Sequence, residues 1–566
     1  MALGSHQDDY KSSKESFVSG MTGSTVLHIN MISFVALSSI ALHSSIRSRF
    51  PPPKSFQFLS EWILLVAPLL LSMTLFADRP GILSAALLLP SALVYFLFPP
   101  HESGTPLPSG GAPSSPHTSP TLLRAPSFHG DDSSAAAAAP TAVDEPTTTR
   151  LAALSTYRAH MMLVTILAIL AVDFPVFPRA LAKCETYGVS LMDMGVGAFV
   201  FSQGIVSAIP LVKAPLHARA SLASEIASVV VKCAPVLALG LVRVVLVKGT
   251  QYPEHVTEYG VHWNFFLTLA LVPVLRVFLH PLFTTVPISL LGLLVALAHQ
   301  LSLSAGLTSY VLDAPRQSLI SANKEGLVSL TGYLAIHLLG LSTGTLVIPY
   351  SPSYFRRRQA AVRKRRASDA PARRVSMSMP HRENDKTATE LFSYAVVYWT
   401  LFGISRYLHV GGPDASRRLV NLPYIMWVAA YNTTFLLCYM LLDLAFFPTP
   451  LAKSTYSPVS GLKVVRRPND DDDDRDRTAS PLVPPYRATT SSSSAPSPMP
   501  APPLLEAINQ NSLAVFLLAN VATGAVNLSM QTMYASDGRA MGVLAAYAFG
   551  VCVFAWAVRG RRVWKL

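Results

Sequence analysis

Asp173 ends a long apolar run and is followed at once by Pro175 and Pro178, with Arg179, Lys183 and Glu185 close behind. The prolines stop a helix, so the carboxylate is expected at a membrane boundary rather than in water. A half-desolvated carboxylate holds its proton more tightly and makes a better general base. Lys183, ten residues on, could fold back towards Asp173 and orient it, or could stabilise a developing oxyanion. A plainer alternative stays open at this stage, namely an interfacial salt bridge that pins a loop.

Four more polar groups interrupt the apolar pattern. The run Glu258-Tyr-Gly-Val-His262-Trp263-Asn264-Phe265 opens a span. His and Trp are common interfacial anchors, but three hydrogen-bonding side chains in succession exceed what anchoring needs. Arg276 lies deeper in that span and requires a partner or a polar head group. Asp313-Ala-Pro-Arg316 leads to Asn323-Lys324-Glu325-Gly326 just before another span, and Ser416-Arg417-Arg418 leads to Asn421-Leu-Pro423-Tyr. Asn520 and Asn527 fall within a late span, where amides can bond neighbouring helices. His262, Trp263, Asn264, Arg276, Asn323, Lys324, Arg417 and Asn520 are the candidates for substrate binding, with Asp173 and Lys183 the candidates for catalysis.

The elements that must position these residues are membrane helices. Of 566 residues 51% are hydrophobic and only 14% charged, against about a quarter charged in soluble domains. Apolar blocks of about 18–25 residues match a hydrocarbon core of about 30 Å. They fall near 25–43, 59–77, 80–99, 157–173, 190–210, 225–247, 261–281, 285–301, 327–349, 388–407, 421–447, 507–530 and 540–558. The fold expected is all-α, a polytopic integral membrane protein with about thirteen transmembrane helices and disordered cytosolic loops. The second and third blocks, split only by Asp78, Arg79 and Pro80, should form a tight hairpin. The Gly-rich block at 190–210 must face protein rather than lipid.

Lys and Arg distribution sets the orientation. A luminal N-terminal segment, 1–24, and a cytosolic tail, 559–566, place roughly 29 basic residues in the cytosol against about 11 opposite. The cytosolic loops are then 44–58, 100–156, 211–224, 282–284, 350–387 and 448–506, and the long ones are 100–156, 350–387 and 448–506. They separate helices 1–3 (25–99), helices 4–9 (157–349), helices 10–11 (388–447) and helices 12–13 (507–558). Residues 101–150, 351–386 and 453–504 are Ser/Pro-rich or highly charged and are expected to be disordered. The polar groups, except those in the twelfth span, then share one side, as a roofed chamber near the luminal leaflet.

The net charge of +13 sits in loops and does not suggest nucleic acid. Cys184, Cys233, Cys438 and Cys552 form neither a metal cluster nor a disulfide framework. No metal, no bound cofactor and no obligatory protein partner are expected. The first 24 residues lack the pattern of a cleavable signal peptide.

Segments along the chain carry a resemblance. They are Lys11-Ser-Ser-Lys14-Glu-Ser-Phe17-Val-Ser-Gly-Met-Thr-Gly23-Ser, Ile169-Leu-Ala-Val-Asp173-Phe, Ser190-Leu-Met-Asp193-Met-Gly-Val-Gly and the Glu258 run. They continue with Leu319-Ile-Ser-Ala-Asn323-Lys-Glu-Gly, Ser416-Arg-Arg-Leu-Val-Asn-Leu-Pro-Tyr and Phe516-Leu-Leu-Ala-Asn520-Val-Ala-Thr-Gly-Ala-Val-Asn-Leu-Ser529. In these the chain resembles the inositol acyltransferases of glycosylphosphatidylinositol (GPI) biosynthesis, the PIG-W/GWT family of the endoplasmic reticulum. The resemblance implies transfer of a fatty acyl chain, typically palmitoyl, from acyl-CoA as co-substrate to the inositol ring of glucosaminyl-phosphatidylinositol. It also implies residence in the endoplasmic reticulum membrane and carries the positions of Asp173 and, more loosely, Lys183.

Acyl transfer from a thioester needs a base, an oxyanion stabiliser and alignment of two lipid-like substrates. No Gly-x-Ser-x-Gly elbow stands in a usable place and no Cys is paired with a nearby His. Direct transfer, with Asp173 as base, is the mechanism expected. A transporter or lipid flippase is the rival class, since it too places charges within spans.

Overall fold

The computed structural model describes residues 13–14, 16–17, 19–50, 56–99, 151–213, 221–249, 256–367, 382–447 and 501–563. Thirteen principal helices follow in chain order. They are α1 (Val26–Arg49), α2 (Gln57–Ser72), α3 (Pro80–Leu97), α4 (Ala152–Ala171), α5 (Leu191–Lys213), α6 (Leu222–Gly249) and α7 (Phe265–Thr284). The remainder are α8 (Ile288–Asp313), α9 (Lys324–Val347), α10 (Asn384–Tyr407), α11 (Leu422–Phe446), α12 (Ser512–Ser529) and α13 (Asp537–Ala557). Eleven of these are long and apolar enough to cross a membrane; α2 is shorter, and α10 lies outside that set. The chain is thus a polytopic all-α membrane protein.

Helix starts follow local chemistry. Thr25 caps α1 by accepting the His28 N–H, Asn421 caps α11 by accepting that of Tyr424, and Pro423 stands in its first turn. A capping oxygen satisfies a donor that the helix cannot. In α2, residues Trp62–Val66 widen into a π-turn just before Pro68, whose missing N–H removes a rung of the ladder.

The core is built on α9, α5 and α11. In α9, 89% of the apolar window is buried, whereas in α6 the figure is 6%, so α9 is central and α6 peripheral. The Gly-rich α5 does face protein. A Cβ on Gly204 would lie 2.2 Å from the His337 carbonyl oxygen, and one on Gly340 2.1 Å from that of Phe201. With Gly344 four residues on, a small-xxx-small face lets the two backbones touch. The expected hairpin at 78–80 is a tight turn, but α3 packs chiefly along α1 rather than α2.

One expectation of disorder is corrected. Within 351–386, residues Tyr354–Ala367 form a helix that buries Phe355 and Gln359. Arg358 donates to the Val212 carbonyl at the end of α5, and Arg363 to that of Thr284. Free carbonyls at helix ends are good acceptors for cations, and this holds the basic helix against the bundle. Likewise Pro503–Gln510 is helical, its Leu504 N–H donating to the buried Glu61 carboxylate at 2.7 Å. Residues 101–150, 368–381 and 448–500 lie outside the described residues.

Candidate functional site

Alternation of the helices brings the segment before α1 and the turns α2/α3, α4/α5, α6/α7, α8/α9, α10/α11 and α12/α13 to one end of the bundle. Backbone bonds stitch them together: Glu185 N–H to the Met21 carbonyl, Gly188 N–H to that of Ala415, and Val261 N–H to that of Ala322. Most of the polar groups read from sequence therefore form one layer, organised as three networks.

The first surrounds Asp173, which is buried where α4 ends. Asn527 of α12 donates through Nδ2 to Asp173 Oδ2 at 2.8 Å. Lys14 of the N-terminal segment stands 3.4 Å from Oδ1 and donates to Asn527 Oδ1 at 2.8 Å. Arg179 donates to the carbonyls of Val172, Phe174 and Phe177 and so braces the chain after the Pro stop. Burial pulls its pKa down to about 10, against the opposing pull of Asp173.

The second network is centred on Arg417. Its Nε donates to Asp193 Oδ1 at 2.6 Å, and its Nη1 lies 3.2 Å from Glu258 Oε1. Glu258 also accepts from Lys183 Nζ at 2.8 and 2.9 Å. Asp193, in the first turn of α5, takes bonds from the Cys184 N–H and the Ser190 hydroxyl on its other oxygen. Burial alone would lower the Arg417 pKa, but Glu258 and Asp193 outweigh it and hold the guanidinium charged, well above its ordinary value. Burial and then Asp193 push the Cys184 thiol up, so it is a poor nucleophile.

The third network joins the α6/α7 and α8/α9 turns. Asn323 Oδ1 accepts the His262 N–H at 2.8 Å. Trp263 packs on Gly326, where a Cβ would come within 2.4 Å of the indole, and its Nε1 donates to Thr268. Lys324 donates to the Ala314 carbonyl at 2.5 Å. Glu325, almost fully buried, is paired with Arg316 and Arg418.

The structure thus gathers Asp173, Lys183, His262, Trp263, Asn264, Asn323, Lys324 and Arg417 at one end, but their partners differ from those expected. Lys183 pairs with Glu258 rather than folding back on Asp173, because a carboxylate from the α6/α7 turn reaches it first. Asn264 is the cap of α7, accepting from Phe266 and Leu267 and donating to the Gly240 carbonyl. Arg276 does not join the layer: it sits eleven residues into α7, about 17 Å along the axis, with Glu225 as its electrostatic partner. Asn520 is also apart, donating to the Phe516 carbonyl of its own helix. Its neighbour Asn527 reaches Asp173 instead.

Sequence reasoning passed over Lys14, Asp193, Glu258 and Glu325 as individual site residues. Three of them had a local signal. Asp193 stands three residues after Ser190 at a helix start, Glu258 heads the second polar run, and Glu325 follows Asn323-Lys324. Lys14 had none apart from its matching segment.

Beneath the layer lies a cavity of ≈ 50 Å³ between α1, α4, α5 and α11, its lining including Tyr157, His160, Leu191, Met194, Tyr431 and Asn432. Tyr157 donates to Asn432 at 2.7 Å, Tyr431 to Ser33 at 2.6 Å, and His160 Nδ1 meets the Tyr439 hydroxyl at 2.7 Å.

Comparison with known proteins covers nearly the whole chain. A family model described as GWT1 matches residues 10–558. GPI-anchored wall transfer protein 1 of Cryptococcus neoformans var. grubii is 35% identical over 98% of this chain and 99% of its own length. The protein of that name from Aspergillus fumigatus is 37% identical over 95% of each chain. The one from Candida albicans is 31% identical over 98% of each.

Proposed function

The chain belongs to the GWT1 family, and from that premise we propose that this enzyme of GPI-anchor biosynthesis is an inositol O-acyltransferase. It moves a fatty acyl chain, palmitoyl, from acyl-CoA to the inositol ring of glucosaminyl-phosphatidylinositol in the endoplasmic reticulum membrane. The N-terminus and the polar layer are luminal and the C-terminal tail cytosolic. The observation that carries the chemistry is the buried Asp173 carboxylate. Among the described residues one of its oxygens is fixed by Asn527, and the other has Lys14 at 3.4 Å.

In this reading the inositol hydroxyl donates to Asp173 Oδ1 and its oxygen attacks the thioester carbonyl carbon. The proton passes to Asp173 as the C–O bond forms. The tetrahedral intermediate then collapses with loss of the C–S bond, and the proton leaves with the CoA thiol. Of the two roles open to Lys183, its engagement with Glu258 favours charge stabilisation over orientation of Asp173. Its side chain is 39% exposed, enough to turn towards the thioester oxyanion or a phosphate as substrate enters. Arg417, Asn323, Lys324, His262 and Trp263 shape the walls of the same layer, so their support of head-group binding runs through the shape of the site.

The test is twofold. Cells lacking the protein should accumulate non-acylated glucosaminyl-phosphatidylinositol by mass spectrometry. Microsomes carrying a well-inserted Asp173→Asn should form none of the acylated product. Normal acylation by that variant would sink the base assignment.

One arrangement supports a covalent alternative. Ser24 Oγ lies 2.5 Å from His28 Nδ1, and His28 Nε2 lies 2.7 Å from the Ala77 carbonyl, the layout of a nucleophile, a base and an orienting acceptor. An acyl-enzyme on Ser24 would be seen as radiolabel retained on the protein after a pulse of acyl-CoA, and lost in Ser24→Ala.

A further inference from the structure

Lys14 is the one ammonium paired with Asp173 among the described residues, and the N-terminal segment is built to deliver it. Ser13, Lys14, Ser16 and Phe17 are helical, so Lys14 and Phe17, three apart, share a face. Both point at the turn after α4. The Arg179 guanidinium lies over the Phe17 ring at 4.1 Å, while Lys14 reaches Asn527 and Asp173. Further along, Glu185 N–H bonds to the Met21 carbonyl and Ser24 N–H to that of Val189. The segment is therefore fastened at several points to the chain that carries Asp173 and Lys183.

The three side chains close a ring with a definite sense. An ammonium can only donate, so Lys14 selects the oxygen end of the Asn527 amide. Thr532 donates to the same oxygen at 3.2 Å. The amide nitrogen must then face Asp173, and it occupies Oδ2. At 3.4 Å Lys14 is close enough to Oδ1 for ion pairing but too far for a good hydrogen bond, so Oδ1 keeps capacity for a substrate hydroxyl. Side-chain exposures of 11% for Lys14 and 8% for Asp173 leave little water to screen the pair.

We propose that Lys14 is a positioning residue for Asp173, and that the N-terminal segment is a working part of the active site through the Lys14–Asn527–Asp173 ring. The inference rests on the reading of Asp173 as the base. Loss of the ammonium removes one of the two donors that hold the Asn527 amide oxygen, the other being Thr532, and removes the charge facing Oδ1, so the Asn527–Asp173 pair is free to turn together. The chemical step suffers while both substrates still bind.

The experiment uses full-length enzyme in detergent or nanodiscs, with acyl-CoA and a short-chain glucosaminyl-phosphatidylinositol. Each variant is first shown to be monodisperse by gel filtration. Lys14→Ala is expected to lose kcat by roughly 100-fold, the scale of a small misplacement of a reacting group, with both KM values within about twofold. Lys14→Arg should recover part of the loss. Added n-propylammonium should restore Lys14→Ala, and n-propanol should not, because only the cation can donate to Asn527 and face Asp173. Wild-type kcat in Lys14→Ala, or a loss that neither Arg nor the amine recovers, overturns the proposal. Asp173→Asn is run alongside. If it is active, the base reading itself falls; if it is dead while Lys14→Ala is fully active, only the present inference falls.

Discussion

Arg417 and Asp193, separated by 224 positions in the chain, meet with Nε 2.6 Å from Oδ1 in a pocket that leaves their side chains 4% and 0% exposed. Glu258 stands on the other side of the guanidinium, so one buried cation answers two carboxylates. Removing it strands the Asp193 charge, while Glu258 keeps Lys183. Arg417→Met is expected to cost about 3–5 kcal/mol, the range for breaking a buried pair from one side, read as a fall in unfolding temperature by fluorescence-detected gel filtration. Arg417→Lys should recover little, since one ammonium cannot reproduce a planar fork. In a cycle with Asp193→Asn the two losses should add to less than their sum.

Asn264 looked from sequence like a substrate ligand, and the structure makes it a helix cap. Asn264→Ala should therefore cost about 1 kcal/mol of stability, while Asn264→Asp or Asn264→Ser keeps most of it. Neither should change KM for either substrate by more than about twofold. A large rise in KM with unchanged unfolding temperature would return Asn264 to the binding site.

The α5–α9 contact allows no side chain at Gly340. Gly340→Leu would drive carbon into the Phe201 backbone, so the helices must separate. The expected result is loss of monodisperse protein, beyond the overpacking cost of about 1–3 kcal/mol seen where side chains can shift. Gly550, with nothing within 4 Å of its added Cβ, is the control: Gly550→Ala should be tolerated.

Cys184 is 5% exposed, and burial followed by Asp193 raises its pKa. Maleimide at pH 8, near the pKa of about 8.5 of an ordinary thiol, should leave it unlabelled in the folded enzyme and label it after denaturation. In Asp193→Asn the thiolate penalty eases and labelling should quicken. Rapid labelling of Cys184 in the native protein would contradict this placement.

Much of the architecture was legible because the bilayer imposes a length. Each of the thirteen apolar blocks corresponds to a helix, including the short α2 and the more polar α10. The helix at Tyr354–Ala367 was missed because its composition is that of a solvated run. Its stability comes from Arg358 and Arg363 bonding carbonyls that belong to other segments, which no local pattern announces. Asp173 was legible because the apolar run, the acid and the two prolines are adjacent in the chain.

By itself the sequence determined that the chain threads a membrane, that its polar breaks gather at one end, and that Asp173 lies where hydrocarbon gives way. Those follow from periodicity, transfer energy and the alternation of successive helices. Only the tertiary structure decided which charge answers which. Lys183 went to Glu258 and Arg417 to Asp193, while Asp173 received Asn527 and Lys14 from opposite ends of the chain. Ion pairs and amide bonds depend on a few ångströms between side chains, and spacing along a sequence carries no information about distances across a bundle.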